Sequence, residues 1–350
     1  MHAIAPRSPS GPSQSLPWRP GRRGRGVTPS LRIARLASAI LALGFASLGF
    51  AQSWPEKPVR LVAPYPPGGQ TDVVSRFLAD RLAPALGQPV IVENKVGAQG
   101  IVGLEAVKVA SPDGYTFVYA NVSNISINPH VHVKLPYDGL RDFAPVTQIG
   151  LSVLAMVVPA ALGPKTLGEF IAYTKANPGK VSFASFGAGS TSHIYGEMLK
   201  GSAGIQMTHV PYKGAGPAVQ DVVAGHAQMA IQDLASVGAF VKSGRLIALA
   251  VTGPRRWPAF PDLKTFAEQG QPLDIAGWNG IMAPANTPRM ILERMSAEIN
   301  KIIQSPDGRE RMLQMGLLAT GTTPEEFADV IRRDTPRWGE VIRKAGIKPE

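Results

Sequence analysis

Two glycine-rich segments carry the residues of this chain that are best suited to binding an anion. They are residues 66–71 (PPGGQT) and residues 187–191 (GAGST). Glycine lets the backbone approach a ligand closely, and a helix that begins in such a segment offers N–H groups with a partial positive charge. Each segment is therefore a candidate site for a carboxylate. Two such segments in one chain predict a ligand that is bound from both sides.

Each glycine segment joins a predicted strand to a predicted helix. Apolar runs at residues 60–65 and 181–186 precede the two segments. The helices after them have apolar residues three or four positions apart, which is the period of one helix face. In open α/β sheets, ligands bind beyond the carboxyl ends of the strands. Both segments follow such an end, so the sequence predicts that both line a ligand cleft.

The alternation of strands and helices continues along the chain from Trp54. Other predicted strands are residues 89–93, 115–120, 154–159, 207–212, 228–232, 246–252 and 278–283, and predicted helices include residues 71–86, 101–110, 287–304 and 324–345. This alternation predicts an α/β fold with mostly parallel sheets covered by helices. The length is sufficient for two lobes with the cleft between them. We expect lobe 1 at residues 52–152 and 279–350 and lobe 2 at residues 153–278.

The first 51 residues predict an export signal that is not part of this fold. Residues 1–30 lack apolar periodicity, Arg32 and Arg35 precede an apolar run at residues 36–50, and small residues end at Ala51. The run is shorter than the roughly 20 residues that span a bilayer, which favours a cleaved signal peptide over a membrane anchor. We expect cleavage near Ala51 and a periplasmic protein. The general and the twin-arginine export routes both stay open.

Much of the positive charge of the chain lies in this leader. The whole chain has 36 basic and 25 acidic residues, but seven of the basic residues and none of the acidic ones precede Gln52. The remaining chain has 29 basic and 25 acidic residues, a formal charge of +4. This small excess removes the case for nucleic acid binding and suits a small anionic ligand. The chain has no cysteine, which excludes disulfides and thiolate metal sites.

Polar residues near the glycines have two possible roles each. Asp72 either stabilises the first turn of its helix or accepts a hydrogen bond from a ligand. Ser190 and Thr191 are natural helix caps, and their hydroxyls can also donate to a carboxylate. His193 is suited to capping or packing as well as to ligand contact.

Further polar residues follow other strands at the same predicted cleft. Asn121 and Ser123 are ordinary loop residues or hydrogen-bond partners of a ligand. Lys213 either adds positive charge to the cleft or is a solvated surface lysine, and Asp233 either caps a helix or contacts the ligand. The full set of predicted ligand-binding residues is Tyr65, Pro67, Gly68, Gly69, Gln70, Asp72, Asn121, Ser123, Gly187, Gly189, Ser190, Thr191, His193, Lys213 and Asp233.

Other kinds of site fit the sequence poorly. The first glycine segment lacks the Lys-Ser/Thr pair of a P-loop, and the second lacks the third glycine of a dinucleotide fingerprint. Ser190 and His193 have the spacing of a nucleophile and its base, but no G-x-S-x-G turn surrounds the serine. His130 and His132 have no third metal ligand nearby. We therefore expect no catalytic residue, no metal and no cofactor.

Short motifs follow one another in a family-like order from Trp54 to the C-terminus. They include WPEKPVR at 54–60, PPGG at 66–69, LGQPV at 86–90, VEN at 92–94, SPDGY at 111–115, LPYD at 135–138, HVPYKG at 209–214, TPEEF at 323–327 and RW at 337–338. On these motifs the chain resembles the Bug-type extracytoplasmic receptors, which are the substrate-binding components of tripartite tricarboxylate transporters.

The resemblance implies a two-lobed periplasmic binding protein, with the periplasmic-binding-protein fold, that closes on a small carboxylate. The loops that match residues 65–72 and 187–191 would hold carboxylates, partly through ordered water, and a two-subunit membrane permease would receive the ligand. We expect a monomer. The segment at residues 96–100 departs from the family, with Val and Gln where Pro and Gly are usual, and Tyr65 and Phe186 replace other common side chains. The ligand therefore stays open among di- and tricarboxylates, acidic amino acids and aromatic acids.

Three functions remain as hypotheses at this stage. The first is a transport receptor that binds without catalysis. The second is a secreted hydrolase or lyase that uses Ser190 and His193. The third is a sensor that presents its ligand to a signalling partner instead of a permease.

Overall fold

The structure, a computed structural model, describes residues 54–349 together with Ser15. The predicted signal peptide and its cleavage near Ala51 lie outside the described residues, apart from Ser15, and stay predictions. None of the helices in the described part is both long enough and apolar enough to cross a membrane.

Eleven strands form two sheets in the described part of the chain. The six strands of the first sheet are β1 (Val59–Ala63), β2 (Val90–Asn94), β3 (Thr116–Asn121), β4 (Phe143–Ser152), β10 (Gly277–Pro284) and β11 (Leu317–Ala319). Their order across the sheet is β11-β4-β10-β3-β1-β2. The five strands of the second sheet are β5 (Leu154–Pro159), β6 (Ser182–Ser185), β7 (Thr208–Pro211), β8 (Met229–Asp233) and β9 (Leu246–Val251), in the order β7-β6-β8-β5-β9.

Helices cover both sheets. They are α1 (Gln70–Leu86), α2 (Ile101–Lys108), α3 (Asn128–Val131), α4 (Leu167–Ala176), α5 (Thr191–Ala203), α6 (Ala215–Val223), α7 (Leu234–Lys242), α8 (Arg289–Gln304), α9 (Pro306–Gln314) and α10 (Pro324–Lys344). Three short 3₁₀ segments (Ala98–Gly100, Ala160–Leu162 and Ala267–Gln269) and one π-helical turn (Ser123–Ile127) complete the list. The two sheets with their helices confirm the predicted α/β fold with two lobes.

The strand pairing is mixed, which corrects the expectation of mostly parallel sheets. Within residues 54–349, β1 pairs in parallel with β2 and β3, and β6 with β7 and β8, but β10, β5 and β11 pair antiparallel with their neighbours. The reason lies in the path of the chain. β5 and β10 each begin directly after the chain passes from one sheet to the other, so they run away from the cleft. β1, β3, β6 and β8 end at the cleft and therefore run in the opposite direction.

The predicted elements lie within two residues of the observed ones at each end. The strands β4 and β11 and the helices α3 and α9 were not predicted. β4 carries two polar residues that are buried, Thr147 at 0% and Gln148 at 5% exposed. The hydroxyl of Thr147 donates to Asn300 Oδ1 at 2.8 Å, and the backbone N–H of Gln148 donates to Thr322 Oγ1 at 2.9 Å. These partners come from distant segments, and they allow polar residues to be buried in the strand. The polar residues interrupt the apolar pattern of a buried strand, so the sequence does not predict β4.

One of the three hydrophobic clusters in the described part of the chain contains side chains from both lobes, such as Val118 and Phe183. α10 begins with a capping box between Thr323 and Glu326, and the helix then runs across the first sheet towards the second. Its buried Trp338 packs edge-on against Tyr195 of α5, with ring centroids 5.8 Å apart, and the Tyr195 hydroxyl donates to Ile275 O. The lobes are therefore joined by packed side chains as well as by the two chain segments that pass between them, at Val153 and at residues 252–276.

Candidate ligand-binding cleft

A cavity of about 960 Å³ lies where the carboxyl ends of strands from both sheets face each other. Ligand pockets of proteins commonly measure about 300–1,000 Å³. Twelve of the fifteen predicted site residues line it: Tyr65, Pro67, Gly68, Gly69, Gln70, Asn121, Ser123, Gly187, Ser190, Thr191, Lys213 and Asp233. Asp72, Gly189 and His193 do not form part of its wall. Most of the predicted residues thus lie in one place, and these three lie outside the wall.

Asp72 shapes the first glycine segment from behind. Its carboxylate accepts hydrogen bonds from Gly68 N at 2.9 Å, from Asn94 Nδ2 at 2.9 Å and from Arg76 Nε at 3.2 Å. Burial raises the pKa of Asp72, but these three partners outweigh burial and bring the pKa below its ordinary value. The carboxylate thus fixes the loop from outside the cavity wall, and its contact with a ligand stays a prediction.

The first segment leaves the start of α1 facing the cavity. The N-cap of α1 is Gly69, and among the described residues no side chain caps this helix. Gly69, Gln70 and Thr71 all lie in the cavity wall. The Gln70 side chain is directed elsewhere, since its Nε2 donates to Met315 O at 2.9 Å. The first turn of α1 therefore presents backbone N–H groups to the cavity without competition from a capping side chain.

The second segment binds most of its own N–H groups. Gly187 N donates to Ser185 Oγ at 3.2 Å, and Gly189 N donates to His193 Nδ1 at 3.0 Å. Ser190 is the N-cap of α5, because its Oγ accepts from His193 N at 3.3 Å while donating to Gly187 O at 2.6 Å. Gly189 and His193 thus support the loop from within, which explains their position outside the cavity wall.

His193 also stacks on His209 behind the second segment. The two imidazole rings are 3.8 Å apart between centroids and nearly parallel, at 9°. His209 Nε2 lies 2.7 Å from Ser185 Oγ, the same hydroxyl that contacts Gly187. Burial, followed by the positive potential of His193 and Lys200, lowers the pKa of His209 to about 4. This histidine is therefore neutral near pH 7 and helps to hold the loop through Ser185.

The Ser190–His193 pair does not have the geometry of a nucleophile and its base. The Ser190 hydroxyl donates to a backbone carbonyl, and His193 Nδ1 accepts from a backbone N–H. A general base must instead accept the proton of the nucleophile. His130, one of the two histidines considered as metal ligands in the sequence, bonds to Thr335 O through Nε2 at 2.9 Å. Over residues 54–349, no group of three His, Cys, Asp or Glu side chains could hold a metal ion.

Two further strand ends contribute charged groups to the wall. Lys213 is exposed and precedes Gly214, the N-cap of α6, which has no capping side chain within the described range. Asp233 caps α7 and accepts from both the backbone N–H and the hydroxyl of Ser236, each at 2.9 Å. Burial raises the pKa of Asp233, with the hydrogen bonds from Ser236 acting in the opposite direction. Of the described residues that line the cavity, these are the two with charged side chains.

The floor of the cleft in the first lobe is rich in amide and phenol groups. Asn121 and Asn124 fix each other's side chains through their backbone N–H groups, at 2.9 and 3.0 Å. Tyr65 reaches over them, and its hydroxyl donates to Gln99 O at 3.2 Å. Burial raises the pKa of Tyr65 to about 12, with hydrogen bonds from Asn121 and Asn124 opposing the shift. The phenol is therefore a neutral donor at any physiological pH.

Several residues of the wall are missing from the sequence-based set. They are chiefly Gln99, Phe186, Tyr212, Phe240, Trp278 and Asn279. Gln99 Oε1, Trp278 Nε1 and Asn279 Nδ2 are buried atoms without a hydrogen-bond partner among the described residues. The strand-end rule that identified Asn121 would also have identified Phe186 and Tyr212. It could not identify Trp278 or Asn279, because β10 begins at the cleft instead of ending there.

Two α/β lobes with a cavity between their opposed strand ends are the architecture of a binding protein. Comparisons with known proteins agree with this class. A sequence profile described as “Tripartite tricarboxylate transporter family receptor” matches residues 74–347. Protein BugT of Bordetella pertussis is 34% identical over 318 residues, covering 90% of this chain and 98% of BugT.

Two solved structures extend this likeness to the fold. One is described as that of a periplasmic transporter; it is 36% identical, has a TM-score of 0.80 and matches over 84% of this chain and 99% of its own. The other is Rpa4515 of R. palustris with adipate; it is 30% identical, has a TM-score of 0.82 and matches over 85% of this chain and 100% of its own. The chain therefore belongs to the Bug-type receptors of the tripartite tricarboxylate transporter family, as its motifs predicted.

Proposed function

We propose that this protein is a periplasmic receptor that captures a small carboxylate between its two lobes and delivers it to a membrane permease. The observation that carries the proposal is the cavity of about 960 Å³, whose wall comes from both lobes and contains helix starts from both. The first turn of α1 faces it from one lobe, and the starts of α5 and α6 face it from the other. A carboxylate is favoured at such positions by the helix dipole and by backbone N–H groups. The bound adipate of the related Rpa4515 supports a carboxylate as the ligand.

The predicted site residues enter the proposal with changed roles. We propose that the ligand contacts the twelve that line the cavity, and that Asp72, Gly189 and His193 act by shaping the two loops. Lys213 supplies positive charge at the rim, while Asp233 disfavours a second or third carboxylate in its neighbourhood. Binding is proposed to occur without catalysis, because the Ser190 hydroxyl donates to Gly187 O and not to a base.

The remaining expectations concern location and partners. We propose that the export signal is cleaved near Ala51 and that the mature protein is a monomer in the periplasm. The lobes at residues 52–152 with 279–350 and at residues 153–278 would close on the ligand and dock on a two-subunit permease. The N-terminus of protein released from the periplasm, read by mass spectrometry, should lie at or near Gln52. Retention of residues 36–50 in a membrane fraction would contradict cleavage.

Ligand binding is tested with the protein purified from the periplasm of cells that express the full chain. The ligands are linear dicarboxylates, citrate, glutamate, aspartate and benzoate, screened by thermal shift and then by calorimetry. At a ligand concentration 100 times the Kd, binding stabilises the fold by about 2.7 kcal/mol. For a protein of this size, each kcal/mol raises Tm by about 2–4 °C.

The same samples separate binding from catalysis. NMR spectra of ligand and protein over a day should show unchanged ligand signals. A melting temperature that no carboxylate raises would contradict the receptor proposal. Conversion of a bound carboxylate or of a matched ester would support the hydrolase hypothesis instead.

A further inference from the structure

The segment at residues 96–100 has an unusual backbone for its sequence. Ala98 and Gln99 have φ angles of 42° and 54°, in the left-handed region that favours glycine. A side chain in this region costs roughly 1–2 kcal/mol, and such residues are concentrated at functional sites. The chain therefore tolerates strain at a position where a glycine would remove it.

The Gln99 side chain extends from the first lobe to the second. Its Nε2 donates to Ala188 O, in the middle of the second glycine segment and 89 positions along the chain. A Cβ built at Gly189 would lie 3.4 Å from Gln99 Nε2, and one at Gly187 would lie 4.0 Å from Gln99 Cγ. Three neighbouring residues of the second segment thus lie against this one side chain. Both distances are those of ordinary van der Waals contacts, so the side chain packs against the backbone of the second segment.

The base of Gln99 is held by the first lobe. The Tyr65 hydroxyl donates to Gln99 O at 3.2 Å, and Tyr65 directly precedes the first glycine segment. A continuous series of contacts therefore leads from Tyr65 through Gln99 to Ala188. It connects the two glycine segments through the cavity wall, to which all three residues belong.

We propose that Gln99 is a positioning residue that sets the distance between the two glycine segments and thereby selects the length of the ligand. This inference rests on the proposed function, since it assumes a ligand that contacts both segments. The amide reaches a carbonyl at one separation of the lobes, so ligands that need a wider or narrower cleft must break that hydrogen bond. A net hydrogen bond of ordinary strength corresponds to about a five-fold change in affinity.

Four variants distinguish the effect of the Gln99 side-chain amide from the effect of its left-handed backbone conformation. Gln99→Ala removes the side chain, and Gln99→Gly removes both the side chain and the left-handed strain. Gln99→Glu keeps the length but replaces the donor with a carboxylate that faces Ala188 O. Gln314→Ala is the matched control, because that glutamine is exposed on α9 and bonds only within its helix, to Glu310 at 3.2 Å, among the contacts of the described residues.

The first measurement needs no ligand. The chain has no cysteine, so Val109→Cys directly after α2 and Lys242→Cys at the end of α7 allow spin labels on exposed sites of the two lobes. Electron–electron distance measurements should give a broader distribution with longer distances in Gln99→Ala and Gln99→Glu than in the parent or the Gln314→Ala control. An unchanged distribution in both variants would overturn the proposal.

The second measurement is calorimetry with the linear dicarboxylates from malonate to pimelate. The parent should prefer one length, and Gln99→Ala should bind that length about five-fold more weakly while losing discrimination against the neighbouring lengths. Gln99→Gly should behave like Gln99→Ala if the amide is responsible. Equal loss at every length would contradict length selection. If the parent binds none of this series but binds another carboxylate of the screen, length selection fails while the proposed function stands. If it binds no carboxylate at all, the proposed function fails, and the ligand-free distances still decide whether Gln99 holds the lobes together.

Discussion

The two glycine segments differ in what surrounds them. A Cβ at Gly68 would meet nothing within 4 Å, and one at Gly69 only Pro66 O at 3.6 Å. A Cβ at Gly189 would instead lie 3.0 Å from Val131 Cγ2 and 3.4 Å from Gln99 Nε2, both in the other lobe. The first segment is open to the cavity, whereas the second is packed between the lobes.

Their hydrogen bonds differ in the same sense. In the first segment the Asp72 carboxylate accepts a hydrogen bond from Gly68 N, but no side chain in the described part of the protein caps α1. In the second segment, three side chains accept hydrogen bonds from backbone N–H groups. Ser185 Oγ accepts from Gly187 N, His193 Nδ1 from Gly189 N, and Ser190 Oγ from His193 N. Loops of similar sequence can therefore serve different purposes. The first leaves the backbone donors at the start of α1 uncapped within the described residues, and the second is held rigid by its own side chains.

The largest expected effect comes from Gly189→Val, compared with Gly69→Val. At Gly189 φ is +73°, so a side chain costs about 1–2 kcal/mol for the backbone and about 1–3 kcal/mol for overpacking against Val131. Thermal unfolding should show a clear loss of stability and calorimetry a loss of binding. Gly69 has φ −78°, so Gly69→Val should weaken binding about ten-fold or more with little change in stability. Equal stability of the two variants would contradict the difference between the segments.

The next effect concerns the support of the first segment by Asp72. Asp72→Asn should lower the free energy of unfolding by about 1.5–3 kcal/mol at neutral pH, because hydrogen bonds to the charged carboxylate are weakened. The pKa of Asp72 is lower in the fold than when unfolded, so its contribution is complete above about pH 4 and is lost as the pH falls through the folded value. Urea unfolding at pH 7 and pH 3 should show the parent and the variant approaching each other in acid. A constant difference between them would contradict this role.

A smaller effect tests the histidine behind the second segment. The pKa of His209 is about 4 in the fold against an ordinary value of about 6.5. The unfolded chain therefore binds the proton more readily, and stability should decline as the pH falls from about 6.5 towards 4. His209→Gln should flatten the dependence of Tm on pH in this range. His226→Gln is the control, since the His226 side chain is 73% exposed; if it flattens the dependence equally, His209 is not responsible.

The smallest expected effect distinguishes two roles of the Ser190 hydroxyl, helix capping and ligand contact. Ser190→Ala should cost about 1 kcal/mol of stability through the lost N-cap of α5. Thr166→Ala should cost a similar amount, because the Thr166 hydroxyl caps α4 in the same way, accepting from Glu169 N at 3.2 Å, away from the cavity. Only Ser190→Ala should also weaken carboxylate binding in calorimetry. Equal affinity of the two variants would show that Ser190 contributes no hydroxyl to the ligand.

Local patterns were sufficient for much of the architecture. The period of apolar residues identified strands such as β5 and helices such as α8 because a buried face repeats within a few turns. Both loops were identified from glycines that precede a helix, because adjacent residues set the backbone conformation of such a loop. The strand-end rule then collected Asn121, Lys213 and Asp233 at one cleft. These inferences need only short stretches of sequence.

The roles within the cleft were decided by the tertiary structure alone. The sequence could not show that Asp72 faces Gly68 and Asn94, or that β10 enters the first sheet antiparallel and brings Asn279 to the cavity. Nor could it show that Gln99 meets Ala188, because that contact joins residues 89 positions apart. The physical reason is that a hydrogen-bonding group takes whichever partner the packed fold brings within about 3 Å. The type of each residue is local, but its partner is set by how the two lobes pack.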